Sequence, residues 1–192
     1  MWVAEKTPEA RLLGLIAVDD AIKANAAAAV QSLKRQGIDA IMLTGDNVRS
    51  AAKVAREVGV KRVIADVLPE DKVLKVKTLQ ASGLIVAMVG DGVNDAPAMA
   101  TADVGIAMGT GSDVAMQTAD ITLMRGDPEL IVASIKVSRA TYSKIRQNLF
   151  WAFIYNIIGI PMAATGLLSP VIAGAVMAMS SVSVVSNSLL LN

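Results

Sequence analysis

The sequence predicts an α/β protein: a mostly parallel, doubly wound sheet with helices on both faces, joined to a two-helix membrane hairpin. Three observations carry this reading. Short apolar runs at 12–18, 38–43, 62–65, 84–89 and 104–108 have the length of strands buried on both faces. Helical stretches alternate with them, the order that builds parallel sheets. From Gln147 to Asn192 there is no Asp, Glu, Lys or Arg, so a charged portion precedes an apolar tail. The hydrophobic share of the chain, 54%, exceeds the roughly 45–50% usual for soluble proteins.

The helices follow in order. Residues 21–36 are rich in Ala, carry Lys34 and Arg35 where the helix dipole favours cations, and stop at Gly37. Residues 48–58 end at Gly59, and 69–81 open on Pro-Glu-Asp and close before Gly83. From 127 to 146 the pattern is helical with a basic end, Lys136, Arg139, Lys144 and Arg146. The uncharged residues 149–168 then match the roughly 20 residues that span a hydrocarbon core of about 30 Å. Ser169 and Pro170 break this run, and 171–191 supply a second. The expected division is a soluble domain over 1–132 and a membrane domain over 133–192, with helices near 147–168 and 171–191. The basic residues before the first span place that end, and the soluble portion, in the cytoplasm. MWVAEKTPEA has neither the basic stretch nor the apolar core of a signal peptide, so insertion rests on the tail. A buried helix pair in a soluble protein is the competing reading, but so long a charge-free stretch is hard to cover.

Charge and composition narrow the chemistry. A net charge of +1 gives no electrostatic footing for nucleic acid. With no Cys and no His there is no disulfide framework, no common zinc site and no Ser-His or Cys-His pair. Function must run on carboxylates, Lys, hydroxyls and backbone. In doubly wound sheets it sits at the carboxyl ends of the strands, and two strands end in acidic, glycine-bearing loops, TGDN (44–47) and GDGVNDAP (90–97).

In the second loop, Asp91 and Asp95 are hard oxygen donors suited to Mg²⁺, which keeps several waters and bridges to phosphate. Asp91 is the expected direct ligand, with Asn94 and Asp95 orienting water, metal or phosphate. Gly90 and Gly92 let backbone approach closely. An Asx-rich turn would explain a single Asp-Gly-x-Asn, though not the eight-residue string. In the first loop, Thr44 offers a hydroxyl and Gly45 an N–H to phosphoryl oxygens ahead of a helix N-terminus. Asp46 either caps that helix or contacts a nucleotide ribose. Lys72, in LPEDK at a helix start, is placed to neutralise phosphoryl charge, whereas a lone surface lysine there would be merely solvated.

TGDN, then PEDK, then MVGDGVNDAPAMATADVGIAMGTGSDVA, followed by a membrane hairpin, resembles the later part of the phosphorylation domain of P-type cation-transporting ATPases. That resemblance covers nearly the entire chain and implies an incomplete haloacid-dehalogenase-like (Rossmann-type) domain. It further implies that Thr44 and Gly45 contact the phosphoryl group, Lys72 stabilises it, Asp91 binds Mg²⁺, and Asn94 and Asp95 complete the loop. Tyr155-Asn156 and MAMSS (177–181) resemble the YN and MxxSS motifs of the copper-exporting branch. The implied Cu⁺ contacts are Tyr155, Asn156, Met177 and Ser181, and a thioether is a soft ligand suited to Cu⁺. Zinc-type relatives would show a Lys in the first helix and an Asp in the second, and this tail has no charge. Ser180 and Ser181 as packing residues, and Met177 as a space filler, are the bland readings.

The resembled family phosphorylates an Asp in a DKTGT loop, and no such string occurs here. Glu5-Lys6-Thr7 has Glu for Asp and Pro8 for Gly, with no room before TGDN for the large nucleotide-binding domain. That ATP-holding domain and a Cys-bearing copper helix are also missing. Without a nucleophile there is no covalent intermediate, and the sheet lacks a strand beside the GDG strand, leaving a gap or exposed edges. The expected function is therefore the C-terminal part of an ATP-driven Cu⁺ export pump, inactive alone, whose partners are membrane lipid and an N-terminal pump portion in cis or in trans. Alternatives are a non-catalytic fragment that complements or regulates a separate pump, and a membrane-tethered phosphatase. The last also needs a nucleophilic Asp, and none of the apolar runs ends in DxDx. The C-terminal NSLLLN lacks the basic residue common at the end of the family's last helix.

Overall fold

The computed structural model describes residues 2–6, 11–16, 21–109, 112–167 and 169–190. They fall into two compact units, Met1–Leu130 and Ile131–Asn192.

In the first unit, β1 (Trp2–Glu5) and β2 (Arg11–Leu15) pair antiparallel, with an irregularity between Val3 and Ala4. This corrects the expected buried strand at 12–18: every residue of β2 is exposed, because among the described residues β2 bonds only to β1. The alternation of apolar and polar neighbours needed to bury one face is absent, and an isolated two-stranded hairpin is marginal in water. Residues 17–20, and Thr7 of the Glu5-Lys6-Thr7 string, lie outside the described residues.

The remaining strands are parallel. β3 (Ile41–Leu43) pairs with β4 (Arg62–Ile64), and β6 (Val104–Met108) lies between β5 (Ala87–Gly90) and β7 (Ile121–Leu123). Helices α1 (Ala26–Arg35), α2 (Val48–Val58), α3 (Pro69–Ala81), α4 (Ala96–Thr101) and α5 (Asp113–Thr118) connect them. The expected punctuation holds: α2 ends on Gly59 at φ 80°, a left-handed cap that glycine adopts without a Cβ penalty. Pro69 opens α3 at its first turn, with Glu70 and Asp71 against the dipole.

Among the described residues β3 pairs only with β4, and β5 only with β6. Both strands nevertheless share one core: Met88 of β5 packs with Val76, Ala98, Met99 and Ala107, and Leu43 of β3 and Val73 of α3 lie against that cluster.

The second unit is helical. α6 (Glu129–Ala164) runs through Pro161, and the chain turns at Gly166, φ 73°. α7 (Pro170–Leu189) starts on the Ser169 hydroxyl, which accepts from the Ile172 N–H at 3.3 Å. Among the described residues α7 is the helix long and apolar enough to cross a membrane, with mean hydropathy 1.5 over Val171–Leu189. The uncharged half of α6, expected as a second span, is diluted by Gln147, Asn148 and Asn156.

The corner before β6 is tied by Asp103, whose carboxylate accepts from the Val86 N–H at 2.8 Å. That bond, aided by Gln80, holds its pKa below the ordinary 3.8. A carboxyl depressed in the folded state stabilises fully above its unfolded pKa, and loses that contribution as pH falls through the folded value. Unfolding followed by circular dichroism should therefore show stability declining with acid below about pH 4, with a shallower decline in Asp103→Asn.

Candidate functional site

The loops after β3 and β5 and the start of α3 build the site. After β3, Thr44 and Asp46 fold the chain on itself: the Thr44 hydroxyl donates to the Asp46 carboxylate at 2.9 Å and accepts from the Asp46 N–H at 3.1 Å. The Thr44 carbonyl accepts from the Val67 N–H at 3.1 Å, and the Asp46 carbonyl from the Asp66 N–H at 2.9 Å, which fixes this loop against the one after β4. A Cβ at Gly45 would lie 3.3 Å from the Val67 carbonyl oxygen, so the close approach favours glycine. Of the two roles left open for Asp46, capping is corrected. Asn47 has the extended backbone of an N-cap and accepts from the Ser50 N–H at 3.0 Å, while Asp46 is occupied by Thr44.

Lys72 and Asp95 meet. Lys72 Nζ donates to Asp95 Oδ1 at 2.6 Å, with side chains 15% and 14% exposed. The geometry depends on Gly90: a Cβ there would stand 2.6 Å from Asp95 Cβ and 2.9 Å from its Oδ2. The 3₁₀ turn Val93–Asp95, closed by the Asp95 N–H donating to the Gly92 carbonyl at 3.1 Å, returns Asp95 over the end of β5. Asn94 stands exposed in that turn. The Asp91 carbonyl accepts from the Ser112 N–H at 2.9 Å, tying the loop to α5. Asp91 is exposed and lines an open cleft of about 710 Å³ with Lys23, Asn25, Arg125 and Asp127.

The donor set fits Mg²⁺. Among the described residues no three carboxylates cluster, as an all-protein cage would require. One solvent-facing carboxylate, Asp91, with a second, Asp95, in the same loop is the arrangement Mg²⁺ uses when waters and a phosphate complete its shell.

In the second unit, the four residues expected around Cu⁺ do not converge. The Tyr155 hydroxyl lies 3.2 Å from Ser183 Oγ across the two helices. Asn156 donates back to the Ala152 carbonyl at 2.9 Å, Ser181 to the Met177 carbonyl at 3.4 Å, and Met177 is 72% exposed. The helices are joined instead nearer their charged end. Lys144 Nζ donates to Asn187 Oδ1 at 3.1 Å, Asn187 to Asn148 Oδ1 at 2.8 Å, and Asn148 to Ser188 Oγ at 2.7 Å. Sequence reading passed over Asn148, Asn187 and Ser183. The rule that flagged Asn156, that polar side chains in an apolar helix have partners, applies equally to the two other asparagines.

A sequence profile of haloacid dehalogenase-like hydrolases matches residues 2–103, more than half of the chain. The chain belongs to that family. This haloacid dehalogenase-like chain is 58% identical over 176 residues to a copper-exporting P-type ATPase of Bacillus subtilis (strain 168), a match covering 92% of the chain and 22% of the relative. It is 55% identical over 186 residues to a probable copper-importing P-type ATPase A of Enterococcus hirae, covering 96% and 26%. The crystal structure of a zinc-transporting PIB-type ATPase in the E2·Pi state superposes with TM-score 0.86 at 41% identity, over 94% of this chain and 30% of that one. The P-type ATPase resemblance therefore extends over nearly the whole chain, which spans only about a quarter of these relatives' length.

Because Lys72 and Asp95 are mostly withdrawn from water, their energies should couple. In a double-mutant cycle with Lys72→Met and Asp95→Asn, denaturant unfolding should give an interaction energy of about 1–3 kcal/mol. Gly90→Ala should cost a similar amount, about 1–3 kcal/mol, by displacing Asp95. A Gly90→Ala protein as stable as the parent would refute the packing argument.

Proposed function

We propose that this chain is the part of an ATP-driven Cu⁺ pump that receives and turns over a phosphoryl group without itself supplying the phosphorylated residue. The observation that carries the reading is the flanking of the open β3 and β5 edges by phosphoryl-handling groups, Thr44 and Gly45 at one strand end, Asp91 and the Lys72–Asp95 pair at the other. A strand ending in DKTGT and lying between those edges would bring its aspartate beside all of them. These 192 residues contain no such string, so the nucleophile comes from another polypeptide or from sequence outside them.

In that setting the Thr44 hydroxyl and Gly45 N–H hold phosphoryl oxygens, and Lys72 neutralises charge developing on them. Asp95 fixes the Lys72 ammonium, and Asp91 with Asp95 holds the metal. Mg²⁺, when bound, supplies charge compensation across the transferring group. Asn94 orients water in the same loop. ATP is delivered by a nucleotide domain outside this chain. α6 and α7 lie in the membrane with the basic end of α6, and the phosphoryl site, on the cytoplasmic side.

Copper as the cargo is supported by the copper-type relatives at 55–58% identity and by the charge-free tail. Tyr155, Asn156, Met177 and Ser181 contribute ligands on two helices, and their failure to converge within the hairpin fits a site completed by helices from elsewhere in the pump. Export is the direction favoured by the relatives named for it.

Two measurements test this. The purified chain should show no Mg²⁺-dependent ATP hydrolysis, and co-expression with a polypeptide carrying DKTGT and a nucleotide domain should restore it. Asp91→Asn should then lower the restored rate on the order of 10²-fold or more; robust hydrolysis by the chain alone would overturn the proposal. In the restored pump, Asn156→Ala and Met177→Ala should each impair Cu⁺ transport, and unaltered transport in both would discard the site.

A further inference from the structure

The cleft beside Asp91 carries charges that the phosphoryl-handling groups leave unused. Asp91 follows β5 directly and Arg125 lies two residues beyond β7, so both stand at the carboxyl end of the three-stranded sheet, where doubly wound folds bind ligands. Lys23 and Asn25 come from the segment that enters α1, and Asp127 shares the lining. Of these side chains two are cations and two are carboxylates. Their commitments differ. The Asp127 carboxylate accepts from the Glu129 N–H at 3.0 Å. Lys23 and Arg125 are exposed, and among the described residues neither side chain enters a hydrogen bond or an ion pair. In a cleft of about 710 Å³ the walls stand roughly one Debye length apart, about 10 Å at 0.1 M salt, so charges on opposite walls act on one another.

We propose that Lys23 and Arg125 make Mg²⁺ binding at Asp91 conditional on an acyl-phosphate dianion in the same cleft, an inference that rests on the reading of Asp91 as the metal ligand. The balance of charge carries it. The lining side chains sum to no net charge. A divalent cation alone would leave the cleft positive, with Lys23 and Arg125 repelling it, and a dianion alone would leave it negative, facing two carboxylates. Metal and dianion together restore neutrality. Each therefore raises the affinity for the other, and by the same factor, as linkage requires. Lys23 and Arg125 hold bare Mg²⁺ off Asp91, and they turn to phosphoryl oxygens once those are present, a task to which the planar fork of a guanidinium is suited. Metal and phosphoryl group then enter and leave the site together.

The test titrates the full chain with Mn²⁺, which takes the same oxygen donors as Mg²⁺ and whose free concentration is read by electron paramagnetic resonance. The anion probe is acetonylphosphonate, an acyl-phosphate analogue whose C–P bond resists hydrolysis, and its own complex with Mn²⁺ is measured without protein and subtracted. In the parent, saturating analogue should tighten Mn²⁺ binding at least about fivefold. In Lys23→Gln with Arg125→Gln, Mn²⁺ alone should bind about three- to tenfold tighter than in the parent, and the analogue should add less than about twofold. Arg125→Lys, which keeps the charge, should retain the parent's dependence on the analogue. Lys34→Gln with Arg35→Gln removes as much charge at the far end of α1, about 15 Å away, and should behave as the parent does. Each variant should keep the parent's far-ultraviolet circular dichroism. Equal Mn²⁺ affinity in the parent and the Lys23/Arg125 variant, or an equal effect of the Lys34/Arg35 pair, would overturn the proposal, while loss of binding in Asp91→Asn would still uphold the metal site. Mn²⁺ binding that survives Asp91→Asn, or no binding by the parent with or without the analogue, would overturn the reading of Asp91 and this proposal with it.

Discussion

The 2.6 Å contact between Lys72 and Asp95 is the constraint on which the arrangement of the loop after β5 and the start of α3 depends. Lys72 belongs to the helix that leaves the β3–β4 pair, and Asp95 to the loop that leaves β5, so one ion pair joins the two parts of an interrupted sheet. It is nearly withdrawn from water, where separation would leave an uncompensated charge on each side. Gly90 makes it possible by giving up the space a Cβ would need. The GDG string is thus a steric requirement as well as a source of carboxylates. Its first glycine seats Asp95, and the following aspartate is left facing solvent.

The interruption explains where stability resides. β3, β4 and β7 are three residues each, and among the described residues β3 and β5 pair on one side, so the ladder contributes little. Cohesion comes from apolar side chains packed between helices and strands, with Met99 of α4, Val76 of α3 and Ile106 of β6 almost fully buried. α3 serves both parts of the sheet, because Val73 and Val76 share one cluster with Leu43 of β3 and Met88 of β5. A strand entering between β3 and β5 would satisfy two rows of backbone groups without displacing that core.

Much of this was legible in the sequence. Helix stops at Gly37, Gly59 and Gly83, the parallel strands after 38, and the two acidic loops followed from local chemistry that tertiary packing did not override. The strand expected at 12–18 forms in part as β2, but its burial fails because an apolar run reports burial only when something covers it, and among the described residues β2 pairs only with β1. Capping stayed open for Asp46 because Asp and Asn cap equally well, and the choice turned on which of them had the extended backbone. The Lys72–Asp95 pair was invisible as a pair: 23 residues separate the partners, and only the fold puts the start of α3 beside the loop after β5.

In the hairpin the polar groups divide by the cost of leaving them unmet. Asn148 and Asn187 lie toward the charged end, where Asn187 donates to Asn148 and Asn148 to Ser188 across the helices, which fastens the pair where water competes most. Asn156 and Ser181 bond within their own helices, so neither leaves an orphaned donor in an apolar setting. Met177 has no hydrogen-bonding demand at all and costs nothing when turned outward into hydrocarbon. A hairpin built this way meets these polar side chains from within its own two helices.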